Sequence, residues 1–248
     1  MQLLISGSKH LGLDLTDDQV RLFAIYLDEL VAWNRKFNLT AITEPEAIQT
    51  RHFLDSLTCF LAFPGVAEDG APLSGLPSLD GLSLLDVGAG AGFPGLPLKI
   101  VRPGIKLTLL ESVAKKAGFL QHVVARLGLQ DCETVTMRAE DAARQPEHRE
   151  KYDVVVARAV AELASLAEYC LPFVKAGGRF VAPKKGALDE EVQKAATAVS
   201  VLGGQMARVQ RVEIPGLLDP RFLVVVDKVG PTPNIYPRRA GMPAKRPL

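Results

Sequence analysis

From residue 82 to residue 228 the chain alternates short β-rich runs with stretches of helical periodicity. Strands joined by helices form a parallel sheet covered on its faces, so this alternation predicts an α/β fold. No helical stretch separates the last two runs, which predicts an antiparallel hairpin at one sheet edge. The predicted strands are 82–87, 106–111, 133–137, 152–157, 178–182, 207–214 and 221–228, and the predicted helices are 94–101, 113–127, 161–174 and 187–202.

The region before residue 64 has helical patterns of its own. Residues 16–34 carry apolar side chains three and four apart, and Thr16 with Gln19 forms a capping box, so a helix is predicted there. A second helix is predicted to begin at Thr43, with Glu46 as its capping partner.

Composition divides the chain into four predicted segments. Proline and glycine without periodicity indicate a linker, and a basic, proline-rich C-terminus predicts a tail without regular structure. The segments are an N-terminal helical region (1–63), the linker (64–81), the sheet domain (82–228) and the tail (229–248).

The sequence DVGAGAGFPG joins the first predicted strand to the first predicted helix of the sheet domain. Glycines permit positive φ angles and let a ligand approach the backbone, and ligands of open α/β sheets bind at the carboxyl ends of the strands. Two readings fit. Gly90, Gly92 and Gly95 match the GxGxxG fingerprint of dinucleotide sites. Asp86, Gly88, Gly90 and Gly92 match the DxGxGxG loop typical of S-adenosylmethionine binding.

Two observations favour S-adenosylmethionine. Asp86 lies at the strand end, where its carboxylate can accept from an ammonium group but would repel a pyrophosphate. Pro94 and Pro97 disturb the first helical turn, whose N–H groups a pyrophosphate would need. The dinucleotide reading stays open at this point.

Two further strand ends suit a nucleoside. Glu111 ends the second predicted strand, and its carboxylate can accept hydrogen bonds from ribose hydroxyls. After the third strand, Ala139 and Glu140 can flank an adenine ring, and an acid there can accept from the adenine amino group. The alternative is that Glu140 or Asp141 caps a short helix.

Several segments resemble one known family. DVGAGAGFPGLPLKIVRP, LLESVAKKAGFLQHV, RAEDAA, YDVVVARAVAEL and PTPNIYPRRAGMPAKRPL resemble the RsmG methyltransferases, also called glucose-inhibited division protein B. WNRKFNLTAI and RHFLDSL are similar to that family's N-terminal helices. The resemblance implies a Rossmann-like class I SAM-dependent methyltransferase fold. This fold has a seven-stranded, mostly parallel sheet with helices on both faces, here with a small N-terminal helical region. The implied activity is methylation of guanine N7 at one position of 16S ribosomal RNA.

The resemblance also implies which residues bind S-adenosylmethionine. The glycine loop and Phe93 would line its methionine and sulfonium end, residues after the second strand its ribose, and residues after the third strand its adenine. Arg158 would lie just after the C-terminal end of the fourth strand. The full predicted set is Asp86, Gly88, Gly90, Gly92, Phe93, Glu111, Ser112, Val113, Ala139, Glu140 and Arg158.

Methyl transfer to guanine N7 requires no general base, because that nitrogen carries a lone pair and no proton. Positioning and desolvation can suffice. The fourth strand is accordingly followed by an Ala-Arg-Ala sequence and not by the Asn/Asp-Pro-Pro-Tyr common in exocyclic amino methylation. Arg158 is predicted to bind guanine O6, a phosphate or the cofactor carboxylate, and the alternative is an ion pair with Asp153 or Glu162.

Basic pairs are the candidates for RNA contacts, because Lys and Arg neutralise phosphates. The net charge is −6 over residues 1–80 and +7 over the remainder, which favours the C-terminal two thirds as the RNA side. For the tail, the alternative is a strap along the sheet edge. The candidates are Lys115, Lys116, Lys184, Lys185, Arg238, Arg239, Lys245 and Arg246.

Three N-terminal residues receive structural predictions. Trp33 is expected in the core, with base stacking as the alternative. His52 and Asp55 lie one helical turn apart, and we expect them to tie the N-terminal helices to the sheet and not to form a catalytic pair.

Composition argues against other classes of protein. The three cysteines form no CxxC and no pattern with the four histidines, so no metal is expected, and their scarcity fits a reducing cytoplasm. No signal peptide and no apolar run of roughly 18–20 residues is present, so no membrane partner is expected. We expect a cytoplasmic monomer that acts on 16S rRNA or the 30S particle.

Two other functions remain at the level of sequence. An NAD-dependent oxidoreductase would use the GxGxxG register but would need a catalytic domain, and only two strands and a tail follow residue 202. A non-catalytic RNA-binding assembly factor could keep S-adenosylmethionine as a structural ligand.

Overall fold

The computed structural model describes residues 1–63, 78–217 and 219–248. The sheet consists of β1 (Ser83–Val87), β2 (Lys106–Leu110), β3 (Cys132–Val135), β4 (Tyr152–Val156), β5 (Val174–Lys185), β6 (Gly204–Val212) and β7 (Arg221–Lys228). Its order is β3-β2-β1-β4-β5-β7-β6, and every neighbouring pair is parallel except the two that involve β7. The predicted sheet with its terminal antiparallel hairpin is therefore confirmed. The predicted linker 64–81 lies outside the described residues except for its last four.

Two strands differ most from their predicted bounds. β5 begins at Val174 and continues to Lys185, where the antiparallel ladder with β7 pairs it with Arg221. β6 begins at Gly204, which pairs with Lys228. Both strands are extended by backbone hydrogen bonds to a neighbour, which the local β propensity used for the prediction does not record.

Helices cover both faces of the sheet. They are α1 (Gln2–His10), α2 (Asp17–Phe37), α3 (Pro45–Ile48), α4 (Asp55–Leu57), α5 (Gly95–Val101), α6 (Ala114–Leu127), α7 (Ala139–Ala142), α8 (Leu163–Cys170), α9 (Asp189–Val201) and α10 (Met242–Lys245). Leu84 of β1 belongs to an apolar cluster with α2, α5 and α6, and its neighbour Leu85 belongs to another with α8 and α9. This alternation is the expected consequence of strand pleating. Among the described residues no helix has the length and apolarity needed to cross a membrane.

The N-terminal helices pack on the first of these faces. The capping box of Thr16 and Gln19 is confirmed by both of its hydrogen bonds. Trp33 is partly buried against Phe119 of α6, with ring centroids 5.6 Å apart. Helix α1 had no sequence prediction, because two of the three residues that it buries, Gly7 and Ser8, are small; a Cβ at Gly7 would lie 2.3 Å from Leu54.

The predicted start of the second helix at Thr43 is wrong. The helix begins at Pro45, after Glu44, and no side chain caps it. Proline suits the first helical position because its missing N–H needs no partner there. A π-helical segment at Gln49–Leu54 then continues into α4.

The tail is bound along the sheet domain. The guanidinium of Arg149 donates to the carbonyl oxygens of Thr232 (2.8 Å) and Tyr236 (3.0 Å), and Arg144 donates to Pro237. The tail also contains α10, so the prediction that it lacks regular structure is wrong for these four residues. Contacts with the sheet domain stabilise a segment that its proline content alone would not fold.

Candidate cofactor and substrate site

The carboxyl ends of the four parallel strands β1 to β4 bring the predicted cofactor residues to one edge of the sheet. The loop after β1 turns back onto β2: the N–H groups of Gly88 and Ala89 both donate to the carbonyl oxygen of Leu110, at 2.8 and 3.0 Å. The N–H of Gly90 donates to the Glu111 carboxylate at 2.9 Å. The glycine loop and the acid of the second strand are therefore one hydrogen-bonded unit.

The glycines of this loop divide into two groups. Gly92 and Gly95 are buried: a Cβ at Gly92 would lie 2.4 Å from Leu96, and one at Gly95 would lie 2.9 Å from the Asp86 carboxylate. Gly88 and Gly90 are partly exposed and have positive φ angles of 70° and 61°. Gly92 and Gly95 thus permit tight packing, whereas Gly88 and Gly90 shape the surface that a ligand can reach.

The first turn of α5 cannot bind a pyrophosphate. The N–H of Gly95 donates to the Asp86 carboxylate at 2.8 Å, and the N–H of Leu96 donates to the Gly92 carbonyl at 2.9 Å. Pro97 has no N–H. A dinucleotide site needs free amides at this turn, so the structure supports the DxGxGxG reading and not the GxGxxG reading.

Asp86 is fully buried at the end of β1. Its Oδ2 accepts from Gly95, and its Oδ1 has no hydrogen-bond partner within the described part of the chain. Burial raises the pKa of Asp86 to about 7, with a smaller rise from Glu111, and the Gly95 amide and the Arg158 charge oppose the shift. A cationic ligand group nearby would favour the ionised form.

The raised pKa of Asp86 predicts one contribution to the stability of the ligand-free protein that is lost as the pH rises. The folded state holds a proton on Asp86 that the unfolded chain, with an ordinary value of 3.8, releases. The stabilisation is complete below pH 4 and is lost through pH 7, so the free energy of unfolding should fall by roughly 2–3 kcal/mol between pH 5 and pH 8 from this group. Urea unfolding should show this component in the wild type and in the exposed control Asp14→Asn, but not in Asp86→Asn. Equal pH slopes in all three proteins would contradict the assignment.

Glu111 is oriented by the backbone around it. Its Oε2 accepts from Gly90, and its Oε1 accepts from the N–H of Val113 at 2.8 Å. An ionised carboxylate has about four acceptor positions, so both oxygens can still accept from a diol. Ser112 and Val113 are exposed beside it. These three residues fit the predicted ribose site.

Glu140 has a partner that the sequence did not indicate. It is buried in α7, and its Oε1 accepts from the N–H of Gly241 in the tail at 2.7 Å. The residue before α7 is Arg138, so neither Glu140 nor Asp141 caps the helix. Ala139, which is partly buried, remains beside the strand end. The tail therefore holds the loop that was predicted to flank adenine.

Arg158 follows β4 and joins three elements. Its Nη1 donates to Asp55 at 2.7 Å, its Nη2 donates to Nδ1 of His52 at 3.0 Å, and its guanidinium carbon lies 5.1 Å from the centre of the Phe93 ring. The alternative partners Asp153 and Glu162 are not used; Asp153 pairs with Lys175 instead. The expected link between the N-terminal helices and the sheet is thus made through Arg158, 103 residues from Asp55.

His52 is a neutral part of this cluster. Because Nδ1 accepts from Arg158, Nε2 carries the proton and donates to Thr40 Oγ1 at 2.8 Å. Burial, reinforced by the Arg158 charge, lowers the pKa of His52 to about 3. Its ring stacks on Phe93, with centroids 4.4 Å apart. An imidazole with both nitrogens engaged is not available as a base.

Tyr26 supports the other side of Phe93 and was missed as a site residue. Its ring stacks on Phe93 at 5.3 Å, and its hydroxyl donates to the Ala91 carbonyl at 2.5 Å. Tyr26 lies three residues after Phe23 on α2, and the apolar periodicity of that helix gave no separate prediction for it. Nothing in that periodicity connects it to the glycine loop.

The residues present fit S-adenosylmethionine. A Cβ at Gly90 would meet only the Gly88 carbonyl, at 3.8 Å, so the loop leaves open space for a ligand there. The Gly90 amide adjoins the Glu111 carboxylate, which can receive a diol, and the unpaired Asp86 Oδ1 can receive a cationic group. Within the described ranges no group of three potential metal ligands occurs.

The RNA candidates have different environments. The ammonium of Lys184 donates to Ala161 and to Glu191, and the guanidinium of Arg238 pairs with buried Glu168. The protein acceptors that occupy these two side chains argue against their predicted phosphate contacts. The remaining candidates, all exposed or partly exposed, are Lys115, Lys116, Lys185, Arg239, Lys245 and Arg246.

Comparison with known proteins assigns the chain to a family. The family model of GidB, rRNA small subunit methyltransferase G, matches residues 19–216. A ribosomal RNA small subunit methyltransferase G of Roseiflexus castenholzii is 55% identical over 96% of this chain and 95% of its own. One of Dehalococcoides mccartyi is 50% identical over 100% of both chains. A solved geranyl diphosphate methyltransferase matches with a TM-score of 0.48 and 15% identity, over 63% of this chain and 82% of that one. Because the family model matches most of the length of this chain, the chain belongs to the GidB family of rRNA small subunit methyltransferases.

Proposed function

We propose that the protein methylates N7 of one guanine in 16S ribosomal RNA, with S-adenosylmethionine as the methyl donor. The observation that carries the proposal is the glycine loop, in which Gly90 faces open space while the α5 amides are occupied within the protein. The family and its relatives support rRNA as the substrate.

The chain's own residues bind and orient. Asp86 receives the positive end of the methionine moiety, and Glu111 with Val113 receives the ribose. Ala139 and the α7 loop flank the adenine. When bound, S-adenosylmethionine supplies a methyl group already activated on a sulfonium centre.

Catalysis rests on positioning without a general base. His52, the imidazole of the Arg158 cluster, is neutral and has both nitrogens engaged. Arg158 is fixed by Asp55 and His52, so its remaining donors point in a set direction. These donors serve guanine O6, a phosphate or the cofactor carboxylate, and leave the N7 lone pair free to attack.

We further propose that the substrate is contacted by exposed cations near the carboxyl edge, chiefly Lys115, Lys116 and Lys185, together with Arg239 of the tail. The protein acts as a cytoplasmic monomer on 16S rRNA or the 30S particle. Residues 1–63 and 229–248 act with the sheet domain, since both segments hold loops of the cofactor site.

Labelled methyl transfer tests the proposed function. The protein is incubated with labelled S-adenosylmethionine and either 30S particles that lack the modification or deproteinised 16S rRNA. We expect one methyl group per particle, mapped by cleavage at N7-methylguanine to a single base. Label on an exocyclic amine or on carbon would overturn the assignment of N7. Binding to 30S particles without label incorporation would instead support an assembly factor.

A further inference from the structure

The loop between β4 and α8 lies over the glycine loop. Val160 is 41% exposed, and its Cγ2 lies 2.9 Å from the position that a Cβ would take at Gly88. The preceding residue, Ala159, has a φ of 57°. Residues with side chains seldom adopt this left-handed conformation, and it persists where the surroundings hold it. The position of Val160 therefore depends on what fixes the two ends of the loop.

The first end is fixed by Arg158 through Asp55 and His52, as described above. The second end is fixed by two charged side chains. Lys184, at the end of β5, donates to the Ala161 carbonyl at 2.9 Å. Glu191, in the first turn of α9, accepts from the N–H of Leu163 at 2.7 Å.

Lys184 and Glu191 also pair with each other at 2.6 Å, and their side chains are 13% and 25% exposed. The same α9 turn carries a contrasting pair, Glu190 with Lys194, whose side chains are 82% and 67% exposed. Within the described residues the contrasting pair makes no hydrogen bond to the loop backbone, and exposed pairs of this kind contribute little. The Lys184–Glu191 pair instead binds the loop backbone with both partners, so a change in the pair moves the loop.

We propose that Lys184 and Glu191 are positioning residues for methyl transfer, which hold the β4–α8 loop so that Val160 stays against Gly88 and Arg158 stays over Phe93. The inference rests on the proposed function, since it assigns this loop to the substrate side of the same site. This positioning role replaces the direct RNA contact expected for Lys184. Of the two adjacent lysines, only Lys185 is then proposed to contact RNA.

Two variants test this role. Lys184→Met keeps the aliphatic stem and removes the ammonium. Glu191→Gln keeps an oxygen for the Leu163 amide and removes the charge. Glu190→Gln is the matched control on the same turn, and Lys185→Met is the matched lysine variant. For each protein we would measure the melting temperature, the affinity for 30S particles over a range of salt, and kcat and KM for methyl transfer.

We expect both positioning variants to lower kcat by about 10- to 100-fold at saturating 30S and S-adenosylmethionine, because small displacements of reacting groups have effects of this size. The salt dependence of 30S binding should stay that of the wild type, and Glu190→Gln should keep the wild-type kcat. Lys185→Met should weaken 30S binding and lower the salt slope by about 0.7–0.9.

Three results would overturn the inference. A lowered salt slope and a raised KM in Lys184→Met, with kcat unchanged, would show that Lys184 contacts RNA. A lowered melting temperature with unchanged kcat at temperatures where the variants are folded would show a structural pair only. Equal kcat in Glu191→Gln and Glu190→Gln would also contradict it. Failure of the proposed function is distinct, because the wild type itself would then transfer no methyl group.

Discussion

Gly88→Val should abolish binding of S-adenosylmethionine while the sheet stays folded. The valine side chain would enter the space above the loop and would also meet Val160, which lies 2.9 Å from the Cβ position. Overpacking of this kind costs about 1–3 kcal/mol even without a ligand. With the ligand excluded as well, calorimetry should show affinity weakened by at least about 100-fold, which corresponds to about 3 kcal/mol.

Backbone strain requires its own control, because Gly88 has a φ of 70°. Gly128 ends α6 with a φ of 64°, and no atom lies within 4 Å of its Cβ position. Gly128→Val therefore reports the cost of the left-handed backbone alone, about 1–2 kcal/mol. Both variants should lose stability, and only Gly88→Val should lose the cofactor. Equal loss of affinity in the two would show that the glycine loop does not contact the ligand.

Local sequence was enough to predict the fold and part of the candidate site. The alternation of strands and helices predicts the sheet, because each element must bury an apolar face against the next. The capping box of Thr16 and Gln19 spans four residues, and both of its hydrogen bonds form within that span. The glycine loop is likewise local, because Asp86 and Gly95, which hydrogen-bond to each other, lie only nine residues apart in the chain.

Contacts between distant segments could not be predicted in this way. Arg158 was placed correctly at the mouth of β4, but its partners His52 and Asp55 lie more than a hundred residues away. The sequence offered Asp153 and Glu162 as partners because they are near in the chain. Tertiary packing decides between such acids, and the periodicity of the N-terminal helices does not record which of their faces reaches β4.

In the tail, too, local sequence could not distinguish two adjacent residues whose environments differ in the structure. Arg238 and Arg239 are equivalent in sequence, and both were candidates for RNA contact. In the structure the Arg238 guanidinium lies against the carboxylate of Glu168, with Nη2 to Oε2 at 2.6 Å and Nε to Oε1 at 3.0 Å. Glu168 is fully buried, whereas Arg239 is exposed. Arg238 thus holds the tail against the sheet domain, and Arg239 is accessible to a phosphate.

Arg238→Ala should therefore lower the free energy of unfolding by about 3–5 kcal/mol, because it leaves a buried carboxylate without its counter-charge. Adding Glu168→Gln should recover part of this loss, because the glutamine side chain is uncharged. Its oxygen can still accept from the backbone N–H of residue 238, which lies 2.7 Å from Glu168 Oε1 in the wild type. Urea unfolding of the single and double variants measures both effects. A loss below about 1 kcal/mol, typical of exposed pairs, would show that the pair does not hold the tail.

Arg239→Ala should have the opposite profile. Its side chain is exposed, so the unfolding free energy should stay within about 0.5 kcal/mol of the wild type. If it contacts a phosphate, the slope of log affinity for 30S particles against log salt should fall by about 0.7–0.9, with affinity for S-adenosylmethionine unchanged. Arg238→Ala, assayed below its melting temperature, should leave that slope as in the wild type. A lowered slope in Arg238→Ala with full stability would restore Arg238 as an RNA contact and remove its role in the strap.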